Sequence, residues 1–192
     1  MLVVSFDIGI VNLGTCVMDG DKVVVWKVIK LFEKMKKNVS INTIADTVYT
    51  SMDQLREDIT AELGEEKTID LVLLENQPSR INGVMKTIQM ILYGYFQNLK
   101  YYERSVKDII QVNPTIKLKG IPMDRTCSKT EQYKNNKKKS IELCIGMIGE
   151  CEILNGMLEE YKAKKDDMCD AMCQIVGYLR NKNIVDITSV HR

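Results

Sequence analysis

Residues Leu2–Ile8 form a continuous β-rich apolar run. Such a run is what a strand covered on both faces requires. Asn12–Met18 follows after a very short connection containing Gly9, and Lys22–Leu31 follows the turn Asp19-Gly20-Asp21, a hairpin signal between apolar runs. Three antiparallel strands are expected. A helix is predicted from an N-cap at Ser40, with Ile41, Ile44, Ala45, Val48, Met52 and Leu55 at helical spacing, to a stop at Gly64. Ile69–Leu74 reads as a buried strand closed by Glu75-Asn76-Gln77-Pro78. Ile81 to Tyr102 reads as a helix with Ile81, Val84, Met85, Ile88, Leu92, Tyr95, Leu99 and Tyr102 on one face, and Asp108–Val112 as a fifth strand. Residues 115 to 136 show no period. Helices are expected near Lys138–Cys151 and Asp166–Arg180, with Glu152–Tyr161 unassigned between them. The order β-β-β-α-β-α-β predicts an α/β fold: a five-stranded mixed sheet, its first three strands antiparallel, flanked by helices. With 192 residues and no internal repeat, residues 1–192 read as one domain.

Charge is distributed unevenly. The formal net charge is +1, yet Lys117 to Lys139 holds eight Lys/Arg against two acids, a surplus of +6 that leaves −5 for the remainder. A basic segment on an acidic body points to a nucleic-acid contact or to a solvated loop. The six cysteines (16, 127, 144, 151, 169 and 173) form no CxxC pair, and the one histidine is His191, which argues against structural zinc. Buried free thiols in a reducing compartment are expected. The apolar start lacks a basic flank and is interrupted by Asp7, unlike a signal peptide, and no apolar run nears the ~18 residues of a membrane span. A soluble intracellular protein is expected.

Acids carry the chemistry. Asp7 ends the first core strand and Glu75 ends Ile69–Leu74 in the same way. Crevices beyond strand ends are common ligand sites in α/β sheets. In Lys164-Lys165-Asp166-Asp167-Met168-Cys169-Asp170, Asp170 shares a helix face with both Asp166 and Asp167. Asp166 and Asp167 suit a helix N-terminus; Asp170 lies past the first turn and has no such explanation. If that helix packs on the sheet, its acids meet Asp7 and Glu75, and converging carboxylates require cations. Oxygen ligands without His or Cys indicate Mg²⁺ or Mn²⁺. Two such ions about 4 Å apart activate a water and stabilise a leaving oxygen in phosphodiester cleavage.

Phe6-Asp7-Ile8-Gly9-Ile10-Val11-Asn12-Leu13-Gly14, Leu74-Glu75-Asn76-Gln77 and Lys164-Lys165-Asp166-Asp167-Met168-Cys169-Asp170-Ala171 resemble the motifs of RuvC-type Holliday junction resolvases. The match is nearest to the poxvirus resolvases, with the fungal mitochondrial enzymes also similar, and spans residues 6 to about 180 in order. The resemblance implies an RNase H-like fold, a homodimer, and paired symmetric nicks in four-way junctions and related branched DNA. It also implies a role in viral recombination and concatemer processing in the host cytoplasm. Four carboxylates would bind two ions, Mg²⁺ with Mn²⁺ able to substitute: Asp7, Glu75, Asp170 and Asp167, with Asp166 the alternative fourth. No small-molecule cofactor or membrane is implied. The family also places a lysine near the scissile phosphate, and within Lys137-Lys138-Lys139 the alignment selects Lys138. The stretch 115–136 departs from the pattern as an insertion.

Met90, Ile91, Tyr93 and Phe96 extend the apolar surface of the Ile81–Tyr102 helix and are either core or a dimer contact. Lys86, Lys100, Arg104 and Lys107 are candidate phosphate contacts, which position a duplex without reading sequence. Competing readings are an ATPase of the actin and Hsp70 group, which needs glycine-rich phosphate loops not found here; a non-catalytic junction-binding module; and a related nuclease preferring flaps, bulges or RNA–DNA hybrids.

Overall fold

The computed structural model describes residues 1–34, 39–78, 82–121, 128–184 and 187–192. Five strands, β1 (Leu2–Ile8), β2 (Asn12–Asp19), β3 (Lys22–Lys30), β4 (Ile69–Glu75) and β5 (Val106–Val112), form a sheet of order β3-β2-β1-β4-β5. The first three are antiparallel neighbours; β4 and β5 run parallel to β1. β1 is therefore central, which is why its residues are apolar on both faces.

Alternation along the strands sorts side chains into two cores. Leu2, Val4, Phe6, Val72 and Leu74 pack under helices α1 (Ile41–Leu63) and α2 (Gly83–Asn98). Val3, Leu71 and Leu73 face helices α3 (Lys129–Ile148), α4 (Glu152–Glu160) and α5 (Lys165–Asn181). Ser40 caps α1 by accepting from the Thr43 amide, and Gly64 ends it at φ 73°. Leu63 is followed by that left-handed turn because glycine adopts it without a Cβ clash.

Two expectations change, the end of the second helix and the start of the third. The helix expected to Tyr102 ends at Asn98 and passes into a π turn, Leu99–Glu103, that leaves Tyr102 exposed; its expected start at Ile81 lies outside the described residues. Of the four extra apolar residues on α2, Phe96 is core, Ile91 and Tyr93 pack against it, and Met90 is exposed. Finally, α3 begins nine residues before Lys138, on a capping box in which Ser128 and Glu131 satisfy each other's backbone amides. The first half of α3 is polar all round, so it carries no apolar period. Among the described residues, Cys16, Cys144, Cys169 and Cys173 are buried free thiols and Cys151 is free and partly buried; Cys127 lies outside them.

Candidate active site

Register brings the first two acids together. Phe6 pairs with Leu74 across β1 and β4, so the next residues, Asp7 and Glu75, lie side by side at the C-terminal ends of adjacent parallel strands. Both continue the alternation of Val3 and Leu71 and therefore face α5. That helix is bolted down by Gln174, whose buried Nε2 donates to Ser5 Oγ (3.0 Å), the Phe6 carbonyl (3.3 Å) and the Leu73 carbonyl (3.3 Å). Asp170 lies four residues before Gln174, one turn closer to the strand ends. Trp26 Nε1 holds the helix start by donating to the Met168 carbonyl at 2.9 Å. Gly14, paired with Asp7 across β1 and β2, makes room: a Cβ there would lie 2.1 Å from the Asp167 carbonyl oxygen.

A lysine outside the recognised motifs completes the cluster. Lys117 Nζ donates to Asp7 Oδ1 (2.6 Å), Glu75 Oε2 (2.6 Å) and Asp170 Oδ2 (3.0 Å), and the residue is only 8% exposed. It is carried by a 3₁₀ turn, Pro114–Leu118, that approaches α5 through Gly177, where a Cβ would stand 2.1 Å from the Ile116 carbonyl oxygen. Ser140 on α3 donates to the other Asp170 oxygen at 2.5 Å.

Burial raises the Asp7 carboxyl to about 7 despite the opposing pull of Lys117, and Glu75 adds to the rise by hydrogen bonding and repulsion. Asp167 is pushed up to about 6 by burial, with repulsion from Asp166 and Asp7. Asp170 is also raised by burial. For Lys117, burial opposes the ammonium, but Asp7, Asp170 and Glu75 together raise it well above its ordinary value.

The cluster floors a crevice of about 1010 Å³ that Asp167, Tyr133 and Lys137 also line. Asp166 instead pairs with Lys137. Lys138, selected from sequence, does not line the crevice: its 78% exposed side chain reaches Glu142 at 3.7 Å. Helical phase accounts for the different directions of Lys137 and Lys138, because one residue turns a side chain by about 100°. Lys137 takes the inward direction, beside Tyr133 and one turn before Ser140; its ammonium lies 5.1 Å from the Tyr133 ring centre. Lys117 was missed because it stands in an aperiodic stretch, although its place just beyond β5 at the acid-bearing end of the sheet was a usable signal.

The donor set is all oxygen, which suits hard divalent cations. Among the described residues no three His, Cys, Asp or Glu side chains form a ready metal cage. The carboxylates nevertheless converge on one positive atom, the Lys117 ammonium, so the cluster accepts a cation at its centre.

Known proteins share this fold. The fold is RNase H-like: the yeast mitochondrial Holliday junction resolvase Ydc2 superposes with TM-score 0.54 at 16% identity, over 95% of this chain and 80% of that one. The chain belongs to the family described as "Poxvirus A22 protein", the poxvirus Holliday junction resolvases, whose model matches residues 1–182. The uncharacterized protein L451 of Acanthamoeba polyphaga mimivirus is 32% identical over 121 residues, 58% of this chain and 29% of that protein; the match thus spans under a third of that relative's length. Thermus thermophilus RuvC is similar at 14% identity and TM-score 0.48, over 95% of this chain and 97% of that one.

Proposed function

We propose that the chain is a single-domain, divalent-metal-dependent endodeoxyribonuclease that resolves four-way DNA junctions by paired symmetric nicks. The observation that carries this reading is the convergence of Asp7, Glu75 and Asp170 on one cation position in an open crevice. Asp7 and Glu75 are assigned as metal ligands from the strand ends, Asp170 and Asp167 as ligands from α5. Asp167 is preferred to Asp166 because it lines the crevice, whereas Asp166 is held by Lys137. Two divalent ions, Mg²⁺ with Mn²⁺ able to substitute, would supply water activation and stabilisation of the leaving oxygen.

The chain's own residues then have separable tasks. Ser140 orients Asp170 through one oxygen and leaves the other toward the crevice. Lys137, on the crevice wall, replaces Lys138 as the cation that meets a phosphate beside the cluster. Such contacts fix the backbone without reading bases, so junction shape selects the substrate. A homodimer matches the two-fold symmetry of paired nicks. Family membership supports action on viral replication and recombination intermediates in the host cytoplasm.

A non-catalytic junction-binding module is the second reading, favoured by the ammonium already at the centre of the carboxylates. Incubation with a synthetic four-way junction, a flap, an RNA–DNA hybrid and linear duplex in Mg²⁺ separates the readings. Paired nicks in the junction support resolution. Junction binding without cleavage in Mg²⁺ or Mn²⁺ supports the module, and preferred cutting of flaps or hybrids supports a related nuclease.

A further inference from the structure

We propose that Lys117 is a built-in place-holder that assembles the carboxylate cluster before metal arrives and is exchanged for the incoming ion. The inference rests on the metal-dependent reading above and deepens it. Three acids brought to one point by β1, β4 and α5 would repel in a poorly hydrated site unless a positive charge stands among them. The ammonium meets that need, with one contact to each of Asp7, Glu75 and Asp170 and none longer than 3.0 Å.

The same geometry makes the ammonium and a divalent ion alternatives. A divalent ion sits about 2.0–2.6 Å from its oxygen ligands. An ion on these same three oxygens would crowd against Lys117 Nζ, where two cations repel strongly. Lys117 therefore leaves as the ion enters. The side chain is built for this, being a flexible four-carbon stem with a point charge. Its backbone stays on the 3₁₀ turn seated against Gly177, and the crevice gives the ammonium space to withdraw. Metal binding then selects the withdrawn state, and the apparent affinity is reduced by the fraction of molecules in which that state is populated.

The test uses the full chain without DNA and Mn²⁺ as the probe. In isothermal titration calorimetry, K117M should bind Mn²⁺ about tenfold or more tightly than the wild type, as expected when a competing internal ligand is removed. K117R, which keeps a cation there, should bind no more tightly than wild type. Amine acylation by a succinimidyl ester, followed by mass spectrometry of the wild-type protein, gives a readout that needs no variant. Lys117 should be protected without metal and become several-fold more reactive with Mn²⁺.

Equal or weaker Mn²⁺ binding by K117M, or unchanged Lys117 reactivity under saturating Mn²⁺, would overturn the place-holder. Failure of both wild type and K117M to bind Mn²⁺ would instead overturn the metal-dependent reading itself, and the place-holder with it.

Discussion

The Asp167 carbonyl oxygen packs so closely on Gly14 that a single added methyl would stand 2.1 Å from it. Gly14 pairs with Asp7 in the neighbouring strand, so one glycine sets the distance between the start of α5 and the acid on β1. Gly14→Ala must push the helix away, and misplacement by about 1 Å near reacting groups costs about 100-fold in rate. We expect junction cleavage to fall by about that factor while junction binding stays within a few-fold. Single-turnover rates beside gel-shift affinities check this; wild-type cleavage would show that α5 tolerates the shift.

Asp7→Asn, Glu75→Gln and Asp170→Asn should each abolish cleavage and leave junction binding largely intact. Each swap keeps shape and removes a charge on which the cation position depends. Substantial cleavage by any one of them removes that residue from the assigned site.

Gln174→Leu removes the amide that ties α5 to β1 and β4. Lost buried hydrogen bonds of this kind cost about 1–3 kcal/mol. Urea denaturation should show a lower midpoint with an unchanged slope, and cleavage should fall further than folding explains. An unaltered midpoint would mean that apolar packing alone seats the helix.

Stability of the metal-free protein should fall as pH rises from about 4 to 7. Asp7 and Asp167 are raised to about 7 and about 6 from an ordinary value of 3.8. Between those values and 3.8 the folded state binds more protons than the unfolded one, so raising pH favours unfolding. Asp7→Asn should flatten part of that slope. Thermal melts in chelator across this window decide it; rising stability would contradict the burial assigned to these acids.

Lys137→Ala should reduce the salt dependence of junction binding by about 0.9 in log–log slope, the value for one lost phosphate contact. Lys138→Ala should leave it nearly unchanged, because that side chain lies outside the crevice. Equal effects would place both lysines on DNA.

Much of the site was legible because its signals are local. Asp7 and Glu75 each interrupt an apolar strand, and Asp170 breaks the logic of helix-terminal acids by lying past the first turn. Strand parity could have gone further. Val3, Ser5 and Asp7 alternate onto one face, as do Leu71, Leu73 and Glu75, but apolar residues on both faces of β1 and β4 mask the alternation. The S-x-x-E capping box at Ser128–Glu131 was also readable, yet the polar turns after it hid the start of α3. Lys137 and Lys138 differ only in helical phase, which could not be set without that start. Lys117 had no local signature. Its position depends on Gly177 admitting the Pro114–Leu118 turn, a contact between segments some sixty residues apart.

Whether positions 7, 75 and 170 share a divalent ion is read from an anomalous difference map of crystals soaked in Mn²⁺. A peak is expected about 2.0–2.6 Å from a carboxylate oxygen of each residue, the range for oxygen-ligated divalent ions, with the Lys117 ammonium withdrawn. A map with Mn²⁺ bound only elsewhere, and Lys117 still bridging Asp7, Glu75 and Asp170, would contradict a shared ion.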